Sequence, residues 1–193
     1  MAHVSARGRV EEIIYAQLES GEDLLEGLWD ICREHDITTG QILGGSGVLE
    51  RFRFQQFPRN PRTSPMVVEI VTLEGPLETN VVGTIGTTIV DVDAAPLANA
   101  LNAELPTEQD VFTMFGSPFP TGGGRSPYVH AHMTATNSSV TALGHLMPGT
   151  IVANMSLGQS VPSHFTLVIA KVTGLTLINR FSKEGYYHEF GTL

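Results

Sequence analysis

The residues with the clearest capacity for chemistry lie in Tyr128-Val129-His130-Ala131-His132, with Leu143-Gly144-His145-Leu146 a short distance downstream. Side chains two apart on an extended strand share a face, so His130 and His132 would present adjacent imidazoles, and His145 on a following strand would add a third. No Asp or Glu occurs between Val111 and Lys183. A metal held by this part of the chain therefore has nitrogen ligands only. Three neutral imidazoles with an open coordination position suit zinc, with another divalent transition metal as the alternative. Structural zinc usually takes four protein ligands and much cysteine, so a three-histidine site points to catalysis, with the metal polarising an oxygen or activating water. The candidate proton carriers are Glu78 or Glu74, in the turn before Gly83, and Tyr128 at the edge of the site. His188, in Gly185-Tyr186-Tyr187-His188-Glu189, could approach from a neighbouring subunit, although surface exposure is its simpler placement.

These histidines need strands to position them, and the surrounding pattern supplies strands. Residues 10 to 19 read as a first strand. Ser20 and Asp23 have capping-box spacing, and Leu24, Leu25, Leu28, Ile31 and Cys32 recur at helical intervals behind them, which predicts one amphipathic helix. Gln41 to Leu49 reads as strand, glycine turn and strand. Its glycines reflect backbone crowding or a bulge rather than a phosphate cradle, because no Gly-Lys-Ser/Thr follows. A strand over 67 to 73, a turn at Glu74-Gly75-Pro76-Leu77-Glu78 and a long bulged strand over 79 to 92 come next. From 128 to 181 the chain reads as a β-meander, with turns at Asn137-Ser138, Met147-Pro148-Gly149 and Thr173-Gly174. The result is a single domain, mostly strand with one principal helix.

Between Asp93 and Pro127 the regular pattern dissolves. A short helix fits residues 95 to 104, followed by Phe112, Met114, Phe115 and Phe119 and then Thr121-Gly122-Gly123-Gly124-Arg125. Long segments of this kind in compact domains are commonly lids or binding loops.

Twenty acidic residues against eleven basic ones give a net charge of -9, and the nine Arg and two Lys form no run. Duplex binding draws most of its nonspecific affinity from clustered positive charge, so this balance disfavours nucleic acid as a partner. Cys32 has no intrachain partner and reads as a small core residue. No stretch approaches the roughly 20 apolar residues of a membrane helix, which predicts a cytoplasmic protein without a membrane partner.

The order of elements and the residues at their junctions resemble the plant and prokaryote conserved (PPC) domain. The matching stretches are Gly21-Glu22-Asp23-Leu24, Ile37-Thr38-Thr39-Gly40, Gly45-Ser46-Gly47, Gly75-Pro76-Leu77-Glu78, Gly83-Thr84-Ile85, His130-Ala131-His132, Leu143-Gly144-His145-Leu146 and Gly149-Thr150. The resemblance implies an α/β (α+β) fold with a mainly antiparallel β-sheet and one main helix, assembled as a homotrimer. It also implies that His130, His132 and His145 hold zinc, as in prokaryotic members with these elements. Plant members bind DNA through a separate basic hook built on Arg-Gly-Arg. Arg7-Gly8-Arg9 spells that tripeptide, but Glu11-Glu12 follow it and no further basic residue surrounds it. The 93–127 segment departs from the family pattern and reads as an insertion beside the metal site.

Together these features predict a metal-dependent lyase or hydrolase acting on a small aromatic or apolar carboxylate. Phe112, Met114, Phe115 and Phe119 would cover the substrate, and Arg125 would grip its carboxylate. The alternative is a non-catalytic DNA-binding or regulatory PPC protein, with Arg51, Arg53, Arg59 and Arg62 gathered by assembly.

Overall fold

A computed structural model of the chain describes residues 4–57, 69–90, 112–118, 125–154, 164–182 and 185–191. Strand β1 (Arg9–Glu19) leads through a turn into helix α1 (Leu24–Glu34). The helix starts where its apolar stripe starts, and Leu24, Leu25, Leu28, Trp29 and Cys32 are buried. Its cap differs from the expected one. Asp23, rather than Ser20, is the N-cap, accepting from the backbone N–H groups of Leu25 and Glu26. The carboxylate has a further use, accepting from Gly149 N–H across the fold, which selects Asp23 over a residue that could only cap. Burial of that carboxyl raises its pKa, against the lowering effect of these hydrogen bonds.

Strands β2 (Gly40–Gln56) and β3 (Glu69–Val90) are each continuous, where the sequence predicts turns at the glycines after Leu43 and at Glu74 to Glu78. They pair antiparallel along nearly their whole length, from Gly40 opposite Ile85 to Gln56 opposite Glu69. A long shared ladder outweighs local turn propensity. The glycines of β2 mark an irregularity in register between Ile42 and Ser46, in keeping with the bulge expected there. They also allow close packing: a Cβ on Gly45 would stand 2.6 Å from Leu167 Cδ2.

The remaining strands are β4 (Arg125–Thr136), β5 (Thr141–Leu146), β6 (Ile151–Val152), β7 (His164–Thr173), β8 (Thr176–Ser182) and β9 (Gly185–Gly191). The meander is not observed. β4 and β5 do form the predicted hairpin, with Asn137 Oδ1 accepting from Ser139 and Val140 N–H. β6 instead pairs with β2, β7 lies between β1 and β2, and β8 runs parallel to β3. Turn residues such as Gly149 and Gly174, both at positive φ, set a change of direction without choosing the partner strand.

The sheet order is β1-β7-β2-β5-β4-β3-β8-β9, and an additional β2–β3 pairing closes β2, β5, β4 and β3 into a ring. One core joins α1 to the inner faces of this sheet. Phe52, Leu77, Ile85, Val129, Ala131, Met133 and Leu167 are among its fully buried members. The described residues are thus mainly antiparallel β with one principal helix and a further helical turn at 112–114. Among the described residues no helix is long and apolar enough to cross a membrane.

Candidate metal centre

Strand β4 separates its side chains by parity. Val129, Ala131, Met133 and Ala135 are fully buried on the core side, which leaves Tyr128, His130 and His132 together on the other face. Across the hairpin His145 stands directly opposite His132, and Gln55 of β2 stands opposite His145. Three strands of the closed ring therefore converge on one spot.

The three imidazoles form a compact group. Ring centroids are 5.2 Å apart for His130 and His132, 4.9 Å for His130 and His145, and 5.5 Å for His132 and His145. One ligating atom from each lies within 4.8 Å of the others. His130 Nε2 and His132 Nε2 are 3.1 Å apart, whereas two nitrogens at zinc's bond length of roughly 2.0–2.1 Å and a tetrahedral angle would stand about 3.3 Å apart. His145 Nε2 is buried and has no hydrogen-bond partner. A buried imidazole nitrogen with no partner costs free energy, and a bound cation would remove that cost. Donor type, spacing and the orphaned atom all fit a metal.

Electrostatics point the same way. Burial, with the neighbouring imidazoles, pushes His145 down to about 3 and His130 down to about 4. For His130 the contributing neighbours are His132 and His188. Both rings are neutral at physiological pH, the state in which imidazole binds a metal.

The other expected site residues are distributed unevenly. Tyr128 is at the cluster, with Oη 2.8 Å from His130 Nδ1. Glu78 is on the same face, but pairs with Thr136 four residues along from His132, about 13 Å away at strand rise. It lines a separate cavity with Val48, Pro76, Thr136, Asn137 and Ser138. Glu74 is exposed and paired with Arg51 at 3.2 Å. Arg125 is exposed at the start of β4, five residues from His130 and of opposite parity, so it is not brought to the histidines.

The cluster opens into a cavity of about 380 Å³ whose walls include Gln55, Phe57, Met114, Phe115, Leu143 and His188. Met114 and Phe115 reach it because Gly116 anchors their segment, its carbonyl accepting from Trp29 Nε1–H of α1 and Val129 N–H of β4. Phe112 turns inward and packs on Phe181, with ring centroids 4.8 Å apart. Phe119 and the helix expected at 95 to 104 lie outside the described residues.

His188 is exposed, as the sequence suggests, but it is also a residue of the site, which sequence reasoning raised only as an approach from a neighbouring subunit. It reaches this pocket within the same chain, on β9, and its Nε2 is 2.8 Å from Tyr128 Oη. The sequence does carry a signal for β9. In Tyr186-Tyr187-His188-Glu189-Phe190 the aromatics suit a strand, but the stretch is short and next to Lys183-Glu184.

No curated protein matches the sequence. Among solved structures, a plant- and prokaryote-conserved protein from Pyrococcus horikoshii shares the fold at a TM-score of 0.60 and 16% identity, over 99% of each chain. A metal-containing protein from Archaeoglobus fulgidus gives a TM-score of 0.61 at 13% identity, over 98% of this chain and all (100%) of the other. A proposed DNA-binding protein from Ralstonia eutropha JMP134 gives 0.56 at 16% identity, over 93% and 90% of the two chains. The model of the Plants and Prokaryotes Conserved (PCC) domain matches residues 5–105, ending before the histidines. With just over half its length matched to that model and its fold shared by these structures, the chain belongs to the Plants and Prokaryotes Conserved domain family.

Proposed function

We propose that the chain is a metal-dependent enzyme in which His130, His132 and His145 hold zinc or another divalent transition metal beside an apolar pocket. The observation that carries this reading is the convergence of three imidazole nitrogens within 4.8 Å, one of them buried without a partner. When bound, such a metal supplies Lewis acidity, which suits lyase or hydrolase chemistry at an oxygen-bearing carbon. The chain's own residues shape what enters. Phe57, Met114, Phe115 and Leu143 favour an apolar or aromatic body, and Gln55 and Gln56 add neutral amides. No Lys or Arg is among the described lining residues, so a carboxylate on the substrate would meet imidazoles and amides rather than Arg125. Tyr128 Oη, hydrogen-bonded to two imidazoles, is the group placed to hold or pass a proton. The homotrimer implied by the family resemblance is part of the proposal; a sedimentation mass of one chain would remove it.

The test is metal analysis of the purified protein and of His132→Ala. The wild-type chain is expected to carry about one equivalent of metal and the variant far less. Equal occupancy in the two removes the site.

A second reading, duplex binding, rests on the name given to the Ralstonia neighbour. Of the arginines that would serve it, Arg51 is paired with Glu74 and Arg53 donates to the Pro148 carbonyl, while Arg59 and Arg62 lie outside the described residues. Gel-shift titration at low salt separates the readings. Salt-dependent retardation of duplex would favour this one.

A further inference from the structure

Tyr128 and His188 stand just outside the three-histidine group and join it at a single atom. Tyr128 Oη is 2.8 Å from His130 Nδ1 on one side and 2.8 Å from His188 Nε2 on the other. A phenol hydroxyl has one proton to donate and lone pairs to accept with, so it cannot donate to both rings. Which imidazole nitrogen carries the proton is set by the hydrogen bond that the other makes. For His130 to aim a lone pair from Nε2 at a metal, its proton must sit on Nδ1, from which it is donated to Tyr128 Oη. The hydroxyl proton then needs a different acceptor, and His188 Nε2 is in place to be one.

We propose that His188, acting through Tyr128, is a positioning residue that holds His130 in its Nδ1–H tautomer and so leaves Nε2 ready for the metal. The inference rests on the metal reading above and adds a residue to it. His188 is not itself a ligand: its ring centroid is 6.4 Å from that of His130, against 4.9 and 5.2 Å for His145 and His132.

The fold makes an otherwise long reach possible. In sheet order β3 and β8 lie between β4 and β9, which on a flat sheet would separate the two side chains by about 14 Å. Two features close the gap: the sheet curls, and β3 presents Gly86 opposite Tyr128. A Cβ on Gly86 would stand 3.1 Å from Tyr128 Cδ1, so the bare backbone leaves room for the phenol. Tyr128 itself is only 1% exposed, which shields its two hydrogen bonds from competing water.

The experiment compares wild type with Tyr128→Phe, His188→Phe and His188→Gln, using Zn²⁺ titration and ¹⁵N NMR of the His130 ring in metal-free protein. Loss of such a supporting partner typically weakens metal affinity about 10–100-fold. That loss is expected for Tyr128→Phe and His188→Phe, whereas His188→Gln, whose amide oxygen can accept the hydroxyl proton, should recover most of it. In metal-free wild type the ring should be Nδ1–H, with that preference lost in His188→Phe. Affinity of His188→Phe within about twofold of wild type would overturn the proposal, as would complete loss of binding matching His132→Ala, the mark of a direct ligand. If the wild-type chain takes up no Zn²⁺, the metal reading fails on its own, and an Nε2–H ring in metal-free wild type still overturns the positioning role. Because His188 is on the exposed outermost strand, its variants remain informative even if the buried Tyr128→Phe fails to fold.

Discussion

The two faces of β4 differ in almost every physical respect although they share one backbone. On one face Val129, Ala131, Met133 and Ala135 are closed off completely against the core. On the other, Tyr128, His130 and His132 are polar and linked by hydrogen bonds, and the two histidines open to a cavity. The inner face fixes register, because a slip by one residue would bury the imidazoles and expose the core. The outer face is consequently free to hold groups chosen for chemistry rather than packing.

Substitutions on each face should break this comparison in opposite ways. The largest effect is expected for Ala131→Asp, which puts an unpaired charge in the core and should cost about 4 kcal/mol or more. Urea denaturation would show a chain with little or no folded baseline. Met133→Ala, which opens a cavity on the same face, should cost about 2–5 kcal/mol in the same assay. On the outer face His132→Ala should leave the urea midpoint of the metal-free chain nearly unchanged, since His132 is exposed.

The outer face also predicts a pH dependence. His145 and His130 are pushed down to about 3 and about 4 from 6.5, so between those values the unfolded chain binds more protons than the folded one. Stability of the metal-free chain is therefore full above pH 6.5 and falls as pH drops toward 4, by on the order of 2 kcal/mol from His145 alone near pH 4.5. Unfolding midpoints of wild type and His145→Phe across that window measure it, with a flatter profile expected in the variant. A smaller loss, about 1 kcal/mol, is expected for Asp23→Ala at the helix cap. Leu143→Ser, at an exposed position beside the pocket, should change stability by less than about 0.5 kcal/mol while altering what the pocket admits.

The convergence of the three histidines was legible in the sequence because it depends on parity. Two histidines at i and i+2, and a third after a hairpin turn, need only strand alternation and a short loop to meet. Tyr128 shares that parity and was legible for the same reason. The partners of β6, β7 and β8 were not, since turn residues encode direction and not neighbour. Nor were the unbroken β2 and β3, where a ladder of backbone pairs overrode Gly and Pro. Phe112 and Phe115 look alike as a sequence pattern, yet one packs inward on Phe181 and the other also lines the pocket. That distinction comes from the Gly116 anchor, a pair of long-range hydrogen bonds with no local trace. His188 depended on the curl of the whole sheet, which no window of sequence contains.

The ring made by β2, β5, β4 and β3 has a consequence in time as well as in space. Its strands have neighbours on both sides, so their amides can exchange with solvent only when a large part of the sheet opens. Among the described strands β9, by contrast, ends the sheet and pairs with β8, and outer strands open at much lower free energy. Hydrogen exchange should therefore be slow at His130, His132 and His145 and fast at His188. The three imidazoles would then persist as a fixed frame, while the fourth comes and goes on its own faster clock.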